Sequence, residues 1–458
     1  MQLVAYVGVW MSAWNVSRFA WLLSGSLLLY LTGIPGFAAF AAWFFLAFLL
    51  RFSRLSRPSS GFAWITLAHG IVLWFQLDGV IPVPAAEYAI TIAFSAVFSA
   101  LVFLIDRVVA PRLLPLLATL VFPTVLLSML YVGYIASPFG TWGDIAYTQT
   151  GFLLLLQSVS VVGIWGITFL IAWFAAVANL VLEQGVVART SRVAGAMLVT
   201  ALTVMVIFGF VSLQGYKPDD TITVATVAAA PDLDQVHLSC ARENIECRQA
   251  VSLRRTEWLF AQSKRAVTDG AKLVLWSEGA AQVLAVDEDD FLRRAREFAQ
   301  ENEIYLFVGL LLYPATPDAS FQNRLVAITP QGDIGWDYHK AKPVPGERIV
   351  AGDGLLPVLD TPFGRIAGMI CFDADFPALA RQVAEMRADL LLVAANDWAE
   401  IEQVHADMAV VRAVENDVSL LRATSGGISV AATATGRRVA DSGASKPIML
   451  ATLPLKSP

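Results

Sequence analysis

Cys371 stands between an apolar run, Arg365–Ile370, and the segment FDADFP, which opens a helical stretch. The thiolate is the effective nucleophile, and at pH 7 only a few per cent of a free cysteine is ionised. A residue at the C-terminal end of a buried strand projects into the crevice where α/β sheets place their sites. A following helix N-terminus favours the thiolate. The alternative is a buried, inert cysteine, the commoner fate of a lone one. Two further strand ends carry charge. Glu278 follows LVLW in LVLWSEGA, an unusual end for so apolar a run. Lys340 and Lys342 lie in DYHKAKPVPGE, whose prolines require a structured loop rather than a helix. Singly, each reads as a solvated surface charge. Together, Glu, Lys and Cys at three strand ends supply a base, an electrophilic cation and a nucleophile.

Other chemistries find no support. The sequence has no G-x-S-x-G elbow. His69, His237, His339 and His405 have no metal-ligand spacing. No Walker or dinucleotide glycine motif falls at a strand–helix junction, and Gly426–Gly427 reads as a turn between strands. Net charge is −6 with no basic block, which argues against nucleic-acid binding. Cys240 and Cys247 occupy the polar segment HLSCARENIEC. Outside the cytoplasm such a pair can form a disulfide. In one continuous helix, residues seven apart would lie roughly 10 Å apart, too far for a bond. Both readings stay open.

The elements that must position these residues begin near Thr221. Thr221–Ala229, Lys272–Trp276, Tyr305–Leu311, Arg324–Thr329, Arg365–Ile370, Leu390–Ala394, Ser419–Arg422 and Ile428–Ala432 read as strands. Arg248–Thr268, Glu288–Glu301, Phe376–Arg387 and Gln403–Glu415 read as helices. Continuous apolar strands alternating with helices imply sheets covered on both faces.

The first half is different in kind. Hydrophobic residues make up 57% of the 458 and charged residues 15%, against roughly 25% charged in a soluble protein. No lysine precedes Lys217. The expected division is therefore a multi-span membrane domain over 1–215 and a globular domain over 216–458. Seven apolar runs, about Phe19–Ile34, Gly36–Leu50, Phe62–Leu77, Tyr88–Ile105, Leu113–Ile135, Phe152–Leu182 and Val193–Leu213, approach the ~20 residues of a span. Residues 1–17 are apolar with several aromatics and suit the interface. Arg51, Arg54 and Arg57, then Arg107 and Arg112, then Arg189 and Arg192 mark alternate loops; the others carry Asp78, Glu87 and Asp144 and no Lys or Arg. Under the positive-inside rule the arginine loops are cytoplasmic, which puts the globular domain outside. The loop Ser137–Thr150, with Phe139, Trp142 and Tyr147, either reaches that domain or forms an aromatic belt.

The ordered stretches LVLWSEGA, FQNRLVAITPQGDI, YHKAKPVPGE, GMICFDADFP, LLLVAANDW, HADMAVVRAVEN and SLLRATSGGISVAATATGRRV make the chain resemble the nitrilase superfamily. The resemblance is closer to its apolipoprotein N-acyltransferase branch, which joins a multi-span membrane domain to a nitrilase-like domain. It implies an α-β-β-α sandwich, with Glu278 as general base, Lys340 of the Y-x-K pattern as oxyanion-stabilising lysine and Cys371 as nucleophile. Glu347 corresponds to a second glutamate that helps hold the site. Phe372–Asp373 replace the family's usual Tyr–Glu pair, and the lysine loop is one residue shorter. Trp276 and Trp398 are candidate substrate contacts.

What the resemblance implies is an acyltransferase of the bacterial inner membrane with its catalytic domain on the periplasmic side. A phospholipid is the acyl donor, and a diacylglyceryl-modified lipoprotein accepts the chain on its N-terminal amine through a thioester on Cys371. No cofactor or metal is expected. The alternative is a membrane-tethered amidase that hydrolyses a C–N bond with the same three residues and water as acceptor.

Overall fold

A computed structural model describes residues 17–81, 83–218, 220–229, 235–241, 244–314 and 319–455. Apart from Ser17, the segment expected at the interface lies outside them. The chain forms two compact units, residues 1–133 with 165–205 and residues 134–164 with 206–458.

The first unit is helical. It holds α1 (Arg18–Leu31), α2 (Ala38–Leu55), α3 (Pro58–Gln76), α4 (Ala85–Val109) and most of α5 (Pro115–Ala136). The greater parts of α6 (Val159–Gln184) and α7 (Arg189–Gly215) complete it. Among the described residues, five helical stretches (Ala38–Leu55, Ala85–Arg112, Pro115–Ala136, Val159–Gln184 and Arg189–Gly215) are long and apolar enough to cross a membrane. Their exposed faces carry Phe94, Val204, Phe210 and similar side chains, a surface suited to lipid. Two polar groups inside illustrate the pairing that lipid favours. Arg54 grips the buried Asp106 with two hydrogen bonds of 3.0 and 3.1 Å. Asn179 Nδ2 donates to the Ala47 and Ala175 carbonyls. Helix α6 breaks at Gly163, whose φ of 61° is non-helical, and the division between units falls just after it.

The second unit contains two sheets. The first runs β13-β1-β2-β4-β5-β6, with β3 paired to β4; the second runs β12-β11-β10-β9-β8-β7. The central members are β1 (Asp220–Val227), β2 (Leu273–Trp276), β4 (Tyr305–Tyr313) and β5 (Gln322–Ile328) in one sheet. In the other they are β8 (Gly364–Ile370), β9 (Leu390–Asn396), β10 (Ser419–Ser425) and β11 (Ser429–Ala432). Strand periodicity sends alternate residues to opposite faces. Leu273 and Leu275 therefore join Ile366, Leu392 and Leu421 in the core between sheets, while Val274 and Trp276 face helices α8 (Ile245–Thr268) and α9 (Glu288–Glu301). Helices α10 (Pro377–Glu385) and α11 (Glu402–Glu415) cover the second sheet. The layers are α-β-β-α, and the chain joins a membrane helical part to that sandwich.

Five strands carried no expectation from sequence: β3 (Ala281–Leu284), β6 (Ile334–His339), β7 (Val358–Thr361), β12 (Arg438–Ser442) and β13 (Ile448–Leu455). Four of them are sheet edges. The segment around Cys240 is not one helix. A single turn ends at Ser239 and α8 starts at Ile245, so the two Cα atoms lie 5.8 Å apart and Cys240 and Cys247 are disulfide-bonded.

Candidate active site

Three strand ends converge. After β2 the chain turns at Ser277–Glu278, and the Glu278 amide donates to Ala395 O on β9 at 3.2 Å. This turn lies directly on β4: a Cβ at Gly309 would stand 1.9 Å from Ser277 O, so only glycine permits the approach. After β6, the Lys340 amide donates to Asn323 O and its carbonyl accepts from Gly352 N, both at 2.9 Å. After β8, Cys371 takes a φ of 49°, a left-handed conformation that costs a non-glycine residue about 1 kcal/mol or more. It opens a short 3₁₀ turn, Cys371–Asp375.

The Lys340 ammonium is fully buried. It donates to Glu278 Oε1 at 2.8 Å and to Glu347 Oε2 at 3.0 Å. Asn323 Nδ2 donates to the same Glu278 oxygen at 2.6 Å. Burial opposes the charge on Lys340, but Glu278, Cys371 and Glu347 more than offset it and hold its pKa above the usual lysine value. Cys371 is 5% exposed. Burial pushes its thiol well above the ordinary range and Glu278 adds to this, while Lys340 and the Asn396 backbone draw it down. The helix N-terminus expected to favour the thiolate begins only at Pro377, beyond the 3₁₀ turn. Cys371 at rest is thus held as a thiol.

Asp373 organises the floor. Its Oδ2 accepts from Tyr338 OH at 2.8 Å and from Ile370 N at 3.0 Å, and its Oδ1 accepts from Lys342 N at 2.7 Å. Burial raises this carboxyl to about 6, against the pull of those donors. Phe372 is buried edge-on against Phe376. Lys342 is exposed, with its ammonium 5.0 Å from the centroid of the Phe376 ring. Lys340 is therefore the lysine brought to Glu278. Trp276 stands apart: it is wholly buried on the helix-facing side of the first sheet, donating to Ser263 Oγ at 2.8 Å and packing on Phe260. Strand alternation put it there, so it does not line the site. Trp398 is half-buried just beyond Asp397.

Several residues near Cys371 had no signal in the sequence beyond being polar within apolar surroundings. Asn323 and Tyr338 are two. A third group is ionic. His405 on α11 is buried, with Nδ1 2.7 Å from Asp397 Oδ1 and Nε2 3.1 Å from Asp375 Oδ1. Arg422 Nη2 donates to Asp397 Oδ2 at 2.7 Å. One ligand-type atom each of Cys371, Asp397 and His405 lies within 4.8 Å of the others. Metal-like spacing alone does not make a metal site: both imidazole nitrogens already face carboxylates, and Arg422 already neutralises Asp397. The Gly426–Gly427 turn packs on Asp397, with a Cβ at Gly426 only 2.3 Å from its carbonyl oxygen.

The loop 137–150 belongs to this unit. Thr141 N and Oγ1 donate to Asp375 O at 3.0 and 2.9 Å. Tyr147 OH accepts from Arg412 at 2.7 Å, and Trp142 meets the His405 ring edge-on. Trp142 and Tyr147 therefore pack on the sandwich, while Phe139 stays exposed.

A buried Cys–Glu–Lys cluster between two mixed sheets defines a class. The sequence matches the carbon–nitrogen hydrolase family over residues 204–457, and the chain belongs to it. Within that class it is similar to apolipoprotein N-acyltransferases. The one from Geobacter metallireducens is 27% identical over 386 residues, 76% of this chain and 70% of that protein. The one from Rhodopseudomonas palustris is 26% identical over 465 residues, 92% of this chain and 81% of that protein. Among solved structures, an amidase from Nesterenkonia sp. aligns at 23% identity with a TM-score of 0.42, covering 51% of this chain and 90% of that one.

Proposed function

We propose that the protein N-acylates lipoproteins, taking the acyl chain from a membrane phospholipid and holding it as a thioester on Cys371. The observation that carries this reading is the buried Glu278–Lys340–Cys371 cluster in a chain that also contains membrane-length helices and resembles lipoprotein acyltransferases over most of its length. Glu278, as carboxylate, accepts the Cys371 proton, and the thiolate attacks an ester carbonyl carbon. Lys340 stabilises the developing oxyanion; one such donor is typically worth ~3–4 kcal/mol. The C–O bond breaks, and Glu278 returns the proton to the departing lysophospholipid oxygen. An N-terminal amine then attacks the thioester, its proton passes to Glu278, the C–S bond breaks and the amide leaves. The departing thiolate recovers the proton. Glu347 holds the far side of Lys340 throughout.

The Cys240–Cys247 disulfide supports an extracytoplasmic domain, because such bonds persist in oxidising compartments. The arginine loops support the same side, and a bacterial inner membrane is the corresponding site. Intact-mass analysis of the full chain, purified with phospholipid, tests the chemistry. A mass increase equal to one acyl chain, mapped to Cys371, is expected. Release of the fatty acid as free acid, with no transfer to an amine peptide carrying a diacylglyceryl cysteine, would instead point to a hydrolase.

A further inference from the structure

We propose that His405 is a positioning residue for the nucleophile, bridging Asp375 and Asp397 as a cation, and that Thr141 and Trp142 of the 137–150 loop lock it in place. The proposal rests on Cys371 being the nucleophile. Asp375 ends the turn that Cys371 begins, and Asp397 follows β9, whose Ala394 pairs with Ile370. One imidazole therefore ties together the two backbone segments that border the sulfur. Both ring nitrogens face carboxylate oxygens, at 2.7 and 3.1 Å. Only the doubly protonated ring can donate to both.

The charges around the ring balance in that state. Asp375 faces it from the nucleophile turn, Asp397 from the end of β9 and Arg422 from β10, with Nη2 3.2 Å from Nδ1. Arg412, on the same helix as His405, acts on Asp375 and is itself paired with Glu415. Burial alone would discharge His405, but Asp397 and then Asp375 outweigh it and hold the ring up to about 9. A neutral residue at this position would leave Asp397, which already opposes ionisation of Cys371, faced chiefly by Arg422. Its field would push the thiol further from ionisation.

The loop completes the frame. A donor chain runs from Arg412 to Tyr147 OH at 2.7 Å, across 2.6 Å to Thr141 Oγ1, and on to Asp375 O at 2.9 Å. Trp142 packs on the imidazole with ring centroids 5.9 Å apart and planes 66° from parallel, which limits how the ring can turn. Gly140 permits the contact: its φ is 57°, and a Cβ there would stand 2.5 Å from Asp375 O.

The test uses the full chain in phospholipid nanodiscs. Alkylation of Cys371 by iodoacetamide is followed against pH, and acylation is followed as kcat and KM for phospholipid. His405→Gln should shift the alkylation profile upward by about one pH unit, slow alkylation at pH 7 about tenfold and lower kcat with KM unchanged. A melting curve separates this from unfolding, which would not displace the pH profile of a folded fraction. An unshifted profile in folded His405→Gln overturns the proposal. If that variant does not fold, Thr141→Val and Trp142→Leu decide: a fall in kcat with constant KM supports it, and wild-type kcat in both overturns it. A wild-type protein that alkylates but never acylates refutes the acyltransferase reading and leaves the alkylation arm intact.

Discussion

Asp373 Oδ1 lies 2.7 Å from the backbone nitrogen of Lys342. That bond fastens the lysine loop to the turn carrying Cys371, and the other oxygen of the same carboxylate holds Tyr338 and Ile370. One side chain thus sets the spacing between Lys340 and Cys371. Asp373→Asn turns an acceptor into a donor facing a donor. It should cost about 1–3 kcal/mol of stability for each buried group left unsatisfied and slow acylation at least tenfold. Melting curves and single-turnover acylation of the variant measure the two effects; wild-type behaviour in both would remove Asp373 from the site's framework.

Cys371→Ala should give no acyl adduct by mass, and Cys371→Ser only traces, because a carboxylate ionises a serine hydroxyl poorly. Glu278→Gln should block formation of the adduct itself, not only its transfer to the amine. Accumulation of acyl-enzyme at the wild-type rate in Glu278→Gln would mean that another group takes the thiol proton.

Lys340→Ala should lower acylation ~100-fold or more, in the range for one lost oxyanion donor, and should also leave Glu278 and Glu347 facing each other without their shared cation. Lys342 is exposed and rests on Phe376, so Lys342→Ala should change kcat little. Single-turnover rates of the pair decide the assignment; a larger loss in Lys342→Ala reverses it.

The buried ion network predicts a stability profile. His405 is raised to about 9, so its contribution is fully present below its unfolded value near 6.5 and is lost as pH rises through 9. Asp397 is lowered to about 2: burial pushes it up, but Arg422 and His405 more than offset this. Its contribution is present above its unfolded value near 3.8 and is lost as pH falls through 2. Thermal melting of the wild type should therefore decline from pH 6.5 to 9, and the decline should flatten in His405→Gln. Parallel curves would show that His405 does not carry the alkaline limb.

A reporter active only outside the cytoplasm, fused after Gly215, should give signal, and Cys240 and Cys247 should resist a thiol reagent until reduced. A cytoplasmic reporter signal would invert the topology and with it the lipoprotein reading.

How much of this was legible depended on burial. The central strands of both sheets are apolar runs and could be read directly, as could α9, whose limits, Glu288–Glu301, are those expected. The edge strands β6, β7 and β12 carry half-exposed, mixed patterns such as IGWDYH. With one side open to solvent, no continuous apolar run is required of them. Cys371 and Glu278 were readable because each closely follows an apolar strand, and Lys340 because its loop, YHKAKPVPGE, carries the Y-x-K pattern. The His405 network was not, because its members come from four separate segments and only folding brings them together. Trp276 misled for a related reason: proximity to Glu278 in sequence says nothing about which sheet face an indole occupies.

The pairing of β13 with β1, from Asp220↔Leu455 to Val227↔Ile448, has a consequence for biosynthesis. β1 emerges directly after α7, yet its antiparallel neighbour is the last strand described. At translation rates of about 5–20 residues per second, the 229 residues from Asp220 to Ile448 take about 10–50 s to make. Throughout that interval one side of β1 has its amides and carbonyls unmatched. A ribosome stalled before Ile448 would release a molecule with a sticky flank, so quality control of this enzyme should act most strongly on late-truncated products.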